Sequence, residues 1–92
     1  MKVITFRPDQ EGICYLNNIA QFLGCSIEND QPVFWAAVDE LHKGANMVIV
    51  CKKNDQTFDS ELLPSYITTL NNGKGAVWHL FRAASKIITA KL

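Results

Sequence analysis

The chain has 92 residues, of which 48% are hydrophobic and 20% are charged, with nine basic and nine acidic side chains. This length provides one domain, residues 1–92, and the apolar fraction excludes a disordered chain. No apolar run approaches the roughly 20 residues that span a bilayer, so we expect a soluble, cytoplasmic protein without membrane contact.

The charges are distributed unevenly along the chain. All nine acidic residues lie within residues 1–61, where five basic residues leave a net charge of −4. Residues 62–92 contain four basic residues and no acidic one. This arrangement favours binding to an anionic surface or pairing of the chain with itself.

The first elements in chain order are a strand and a helix. β-forming residues at 2–6 predict a strand that stops at Arg7-Pro8, because proline disfavours helix at the residue before it. Asp9 is a good helix cap and Gly24 a good helix stop. Between them, apolar residues recur at helical spacing, which predicts a helix: Ile13, Leu16, Ile19, Ala20 and Leu23.

A second helix is predicted over residues 32–43, with Asp30 as its cap and one apolar face. The run of β-formers at residues 47–51 predicts a central strand buried on both faces, and residues 56–58 are a possible return strand. A third helix is expected, capped by Asp59 or Ser60, with Pro64 in its first turn or at its start. After the break at residues 71–75, a fourth helix is expected to pack across the central strand.

These elements predict a helix-rich α+β domain in the order β-α-α-β-(β)-α-α, with about four helices packed on a sheet of two or three strands. Two short strands make a marginal sheet, so we also expect strand pairing across a dimer as an alternative to helices on both sides. The three cysteines, Cys14, Cys25 and Cys51, form no Cys-x-x-Cys pair and lie in apolar sequence. They are typical of buried free thiols in a reducing compartment.

Residues 13–43 resemble a helix-turn-helix, with Gly24 at the turn and Ser26 as a cap for the next helix. The second half departs from this motif because Asp30 and Pro32 stand where a recognition helix should be under way. The outward residues of that helix would include Asp39 and Glu40, which repel phosphate. A plain helical corner and a winged-helix shape used for protein contacts therefore stay open beside DNA reading.

Two groups of residues are candidate partner-binding sites. Trp35, Asp39 and His42 would follow one strip of the second helix, as a core edge, a protein-contact patch or an Asp–His pair that lacks a nucleophile. Lys74 precedes a basic strip on the last helix, formed by His79, Arg82 and Lys86. That strip suits solvent, an acidic protein surface or nucleic acid.

No pattern in the sequence predicts chemistry. Gly73-Lys74-Gly75 lacks the Ser or Thr that follows the lysine of a phosphate-binding loop, and the spacing of cysteine and histidine fits no metal site. We therefore predict no enzyme, no metal and no cofactor. The preferred hypothesis is a small non-enzymatic regulator, inhibitor or adaptor that binds a protein, including a second copy of itself. The alternative is a nucleic-acid-binding regulator that uses the helix-turn-helix-like segment or the basic face.

Overall fold

The computed structural model describes residues 1–41 and 44–83, which form one antiparallel sheet of six strands. The sheet is curled into a half-barrel, and its strand order is β1-β3-β2-β4-β6-β5. A 3₁₀ helix, Ser60–Ser65, connects β4 to β5. The strands are β1 (Lys2–Phe6), β2 (Ile13–Glu28), β3 (Gln31–Val38), β4 (Ala45–Lys53), β5 (Tyr66–Asn71) and β6 (Val77–Arg82).

The prediction of a helix-rich α+β fold is wrong. Within the described residues the 3₁₀ helix is the only helical segment, and it stands where the third helix was expected to begin. The rest of that predicted helix, including Tyr66, Ile67 and Leu70, is the strand β5. The first and second predicted helices are the strands β2 and β3, and the start of the fourth is β6. The expected return strand at residues 56–58 is a loop.

The helical spacing in β2 comes from bulges. Each bulge adds one residue to a strand without adding one to its partner. The pairing of β2 shifts between Leu16 and Ile19, between Ile19 and Gln21, and between Phe22 and Gly24. Across each bulge the core-facing residues are therefore three apart instead of two, and a three-residue spacing also matches one face of a helix. The core-facing residues of β2 are Cys14, Leu16, Ile19, Phe22, Cys25 and Ile27.

Several local predictions are confirmed. The strand expected at residues 2–6 is β1, and the strand expected at residues 47–51 lies within β4, between β2 and β6. Alternate residues of β4 are buried on opposite faces of the sheet, Ile49 on the inner face and Val50 on the outer face. The Asp59 side chain accepts a hydrogen bond from the Glu61 N–H and so caps the 3₁₀ helix.

The main core fills the concave side of the sheet. Residues from β2, β3, β4 and β6 meet there, and Leu16, Phe34 and Ile49 have no exposed surface. A smaller cluster on the convex side packs Leu62 of the 3₁₀ helix against Val50 and Phe81. The curl is held at one end by Trp78, whose Nε1 donates to the Asp30 carbonyl oxygen at 2.9 Å.

Gly12 provides a direct test of the packing at the start of β2. Its φ is +84°, and a Cβ atom there would lie 2.5 Å from the carbonyl oxygen of Cys51. We expect Gly12→Ala to lower the free energy of unfolding by about 2 kcal/mol or more, because strain and overpacking act together. Urea denaturation measures this change.

Gly24→Ala is the matched control, because a Cβ atom at Gly24 would meet nothing within 4 Å. We expect this variant to be neutral or slightly stabilised, since alanine restricts the unfolded chain more than glycine does. Equal losses of stability in the two variants would contradict the described path of β2.

Candidate functional site: an open strand edge and its tryptophan

The outermost strands of the sheet, β1 and β5, differ in regularity. β1 pairs with β3 through five consecutive residues without an irregularity. The pairing of β5 with β6 is interrupted between Tyr66 and Thr68. The interior strand β2 also has register shifts in its pairing with β3 and with β4. A bulge blunts an edge, whereas a flat strand offers its unpaired N–H and C=O groups to another chain. Among the described strands, β1 is therefore the edge best suited to pair with another strand.

Apolar side chains lie beside this edge on the convex face. Val3 of β1 is 61% exposed and pairs with Ala37 of β3. Thr5 pairs with Trp35, whose side chain is half-buried. Leu23, 49% exposed, lies in the bulge next to Gly24, the residue of β2 that faces Trp35. We call Val3, Thr5, Trp35 and Ala37 together with the β1 backbone the edge surface.

The concave side of β1 extends the core without closing it. Ile4 and Phe6 pack against the main cluster, yet both keep part of their surface exposed. On the side away from β3, no described strand pairs with β1. A strand added to this edge would cover these side chains and pair with the backbone groups of β1 that point away from β3.

An ion pair stands at each end of β1. Lys2 Nζ lies 2.6 Å from Glu40 Oε1, and Arg7 Nη2 lies 2.9 Å from Glu28 Oε1. The hydrogen bond and the charge of Lys2 lower the pKa of the Glu40 carboxyl. All four side chains are more than half exposed, so these pairs add little to stability. The two ion pairs place a positive and a negative side chain at each end of β1.

The expected strip of Trp35, Asp39 and His42 does not exist as a helix face. Trp35 lies in β3, and Asp39 follows the end of that strand, where its carboxylate accepts a hydrogen bond from the Leu41 N–H at 3.0 Å. His42 lies outside the described residues. The alternation of buried Phe34, Ala36 and Val38 in β3 places Trp35 on the opposite, convex face.

The expected basic strip is also not formed as predicted. His79 and Arg82 lie in β6, where an odd separation places them on opposite faces. Lys74 lies in the turn between β5 and β6, and Lys86 lies outside the described residues. The helix wheel that aligned these side chains therefore does not apply.

His79 instead belongs to a chain of polar side chains on the convex face. Its Nδ1 lies 2.9 Å from Thr69 Oγ1, and its Nε2 lies 2.7 Å from Asn54 Oδ1. Thr69 Oγ1 lies 2.6 Å from the Tyr66 hydroxyl. A hydroxyl, an imidazole and an amide in this order resemble a nucleophile, its base and an orienting group. Neither of the two grooves at one end of the sheet is lined by Thr69 or His79.

Two polar grooves of about 540 and 520 Å³ lie at one end of the sheet. They share Lys53 and Trp78 as a common wall, and Lys53 Nζ lies 5.2 Å from the Trp78 ring centroid. Asp9 and Glu11 line the first groove, and Lys74 lines the second together with acidic side chains. This mixture of charges and amides selects no one class of ligand.

The three cysteines are free, as predicted, with Cys14 and Cys51 buried and Cys25 half-buried. Burial, together with the negative charge of Asp9, raises the pKa of Cys14 to about 12. Burial also raises the pKa of Cys51, and the neighbouring thiols and Asp9 add to this effect. The described residues contain no group of three or more His, Cys, Asp and Glu side chains placed to hold a metal ion.

No helix within the described part of the chain is long and apolar enough to cross a membrane. No protein-family model matches the chain, and comparisons with curated proteins and with solved structures found no significant match. The function is therefore inferred from the geometry of the site.

Sequence reasoning missed the edge surface apart from Trp35. The strand at residues 2–6 was predicted, but its place at the rim of the sheet depends on pairing with β3, which is not its neighbour in sequence. Trp78 and Lys53, the shared wall of the grooves, were also missed. The apolar Trp78 and Leu80 alternate with the polar His79, and this alternation was the sequence signal for a strand.

The buried thiols predict a loss of stability at alkaline pH. Cys14 ionises near its ordinary pKa of 9.0 when unfolded and near 12 when folded. Its contribution is complete below pH 9 and is lost as the pH rises through that interval, by up to about 1.4 kcal/mol per pH unit. Urea denaturation at pH 8 and pH 10 should show a shallower decline for Cys14→Ala than for the native chain. Identical declines would exclude Cys14 as a source of the effect.

Proposed function

We propose that this protein is a non-enzymatic binding protein that acts through protein–protein contacts at the edge surface. The observation that carries the proposal is the half-buried Trp35 beside an unblunted strand edge. Tryptophan is enriched among the side chains that contribute most to binding, and a flat edge binds extended segments through backbone hydrogen bonds. A partner with an extended apolar segment would use both features.

The alternation along β1 supports this mode of binding. Successive residues of an added strand point to opposite faces of the sheet. One set would meet Val3 and Trp35 on the convex face, and the other set would cover Ile4 and Phe6 on the concave face. Backbone pairing would supply affinity, and these two apolar rows would supply the side-chain preference.

Within the described residues, the helices on which the nucleic-acid alternative was based are not present. The segment at residues 13–43 contains the strands β2 and β3 and no helix within the described residues. The basic helix face is replaced by β6, which places His79 and Arg82 on opposite sides. Of the six lysine and arginine side chains in the described residues, three have partners within the chain: Lys2 and Arg7 form ion pairs, and Lys53 lies over Trp78.

A selection from a display library of random linear peptides on the immobilised protein tests the proposal. We expect the selected peptides to lose affinity for Trp35→Ala by about tenfold or more, because the variant removes an anchor beside the paired edge. We also expect this affinity to change little with salt concentration. Fluorescence anisotropy with labelled peptides measures both properties.

Tyr15→Ala is the matched control, since Tyr15 is an aromatic residue on the same convex face, 45% exposed, but pairs with Val48 of β4 in the other half of the sheet. The selected peptides should bind this variant like the native protein. Peptides that bind the native protein, Trp35→Ala and Tyr15→Ala equally would overturn the assignment to the edge surface.

A further inference from the structure

We infer that the edge surface pairs with a second copy of this chain, with β1 antiparallel to the partner's β1 and Ile4 at the twofold axis. The inference rests on the proposed function, because it names the occupant of the same surface. It comes from three observations: the pattern of side chains along β1, the ion pairs at its ends and the apolar side chains that stay exposed on both faces.

The pattern of β1 is complementary to itself. A twofold axis at Ile4 places Val3 opposite Thr5 of the other copy and Lys2 opposite Phe6. Opposing residues differ by an even number of positions in the sequence. Every side chain therefore stays on the face of the sheet that it occupies in the monomer. The pairing extends the regular register between β1 and β3 across the axis without a bulge.

The apolar rows then become continuous. On the concave face, Ile4 meets its own copy, and Phe6 meets the aliphatic stem of Lys2, whose charged end stays at the rim. On the convex face, Val3 lies beside the small Thr5 of the other copy, and Trp35 follows in the same row. An indole reaches across a threonine, so Trp35 of each copy covers Val3 of the other.

The charges at the ends of the edge are also complementary. The twofold axis brings the Lys2–Glu40 pair of one copy to the Arg7–Glu28 pair of the other. Each end of the interface then contains two positive and two negative side chains. Each cation lies near a carboxylate of its own copy and a carboxylate of the other copy. The same end would repel a copy if it held charges of one sign only.

Sedimentation equilibrium over a range of concentrations tests the dimer. We expect the native chain to dimerise and Val3→Lys to raise the dissociation constant at least about tenfold, because a charged side chain would replace the apolar Val3 beside the axis, and the axis places it in the interface twice. Val3 is 61% exposed, so the substitution leaves the core intact.

Ile67→Lys is the matched control on the other outermost strand. Ile67 lies in β5 and is 41% exposed. We expect it to dimerise like the native chain. A native chain that stays monomeric up to about 1 mM, or a loss of dimer with Ile67→Lys equal to that with Val3→Lys, would overturn the inference.

A disulfide test fixes the register. Ile4→Cys places two thiols directly opposite each other at the axis, and mild oxidation should link them, with the bond identified by peptide mass spectrometry. Thr5→Cys places its two thiols two residues out of register, with Cα atoms roughly 8 Å apart, beyond the range of an unstrained disulfide. Faster linkage with Thr5→Cys than with Ile4→Cys would reject this register.

Failure of the inference and failure of the proposed function are distinguishable. A monomeric native chain whose selected peptides still depend on Trp35 keeps the function and removes the second copy as the occupant. A dimer that is insensitive to Val3→Lys, together with peptides insensitive to Trp35→Ala, removes both.

Discussion

The bend in β2 is the feature on which the rest of the structure depends. The first part of β2 pairs with β4 and the later part with β3, and only Ile19 pairs with both. The strand therefore belongs to two groups of strands, and its bulges turn one group over the other. Bulges increase the local twist of a strand and let it change direction without breaking the ladder. Phe34 of β3 and Leu80 of β6 meet in one core as a result.

The bend also needs partners outside the ladder. Asn18, at the first irregularity, has a φ of 58°, a left-handed conformation that asparagine tolerates better than most residues. Its side chain donates to the Asp39 carbonyl oxygen and accepts from the Gly44 N–H. These contacts tie the corner of β2 to the segment after β3 and to the start of β4. One polar side chain thus fixes the place where the two groups of strands separate.

The sequence predicts the regular strands and fails at the irregular ones. Residues 2–6 and 47–51 were predicted correctly as strands, because each is a continuous run of β-forming residues without a helical spacing of apolar side chains. β2 was predicted to be a helix because its bulges convert a two-residue period into a three-residue one, and the positions of bulges depend on neighbouring strands. Hydrophobic spacing in β2 therefore predicts burial only in part. Of the predicted helical face, Leu16 and Ile19 lie in the core, whereas Ala20 and Leu23 are exposed.

The candidate site was also predicted from the sequence only in part. Trp35 was selected for its residue type beside an apolar stripe, and that argument does not depend on whether the residue lies in a helix or a strand. The edge beside it could not be predicted, since it arises from β1 pairing with β3 instead of β2. Asp39 was grouped with Trp35 through a helical period that β3 does not have.

The irregularity in β5 has a consequence for the size of any assembly. Pairing about a twofold axis consumes both copies of β1, and the rims of the combined sheet are then the two copies of β5. Ile67 interrupts the ladder there, between Tyr66 and Thr68, so the rim does not offer the straight template that a third molecule would need. A dimer paired through β1 would therefore close at two chains instead of growing into a fibre, and Ile67, which would prevent growth, lies at the far side of the sheet from the edge that would permit association.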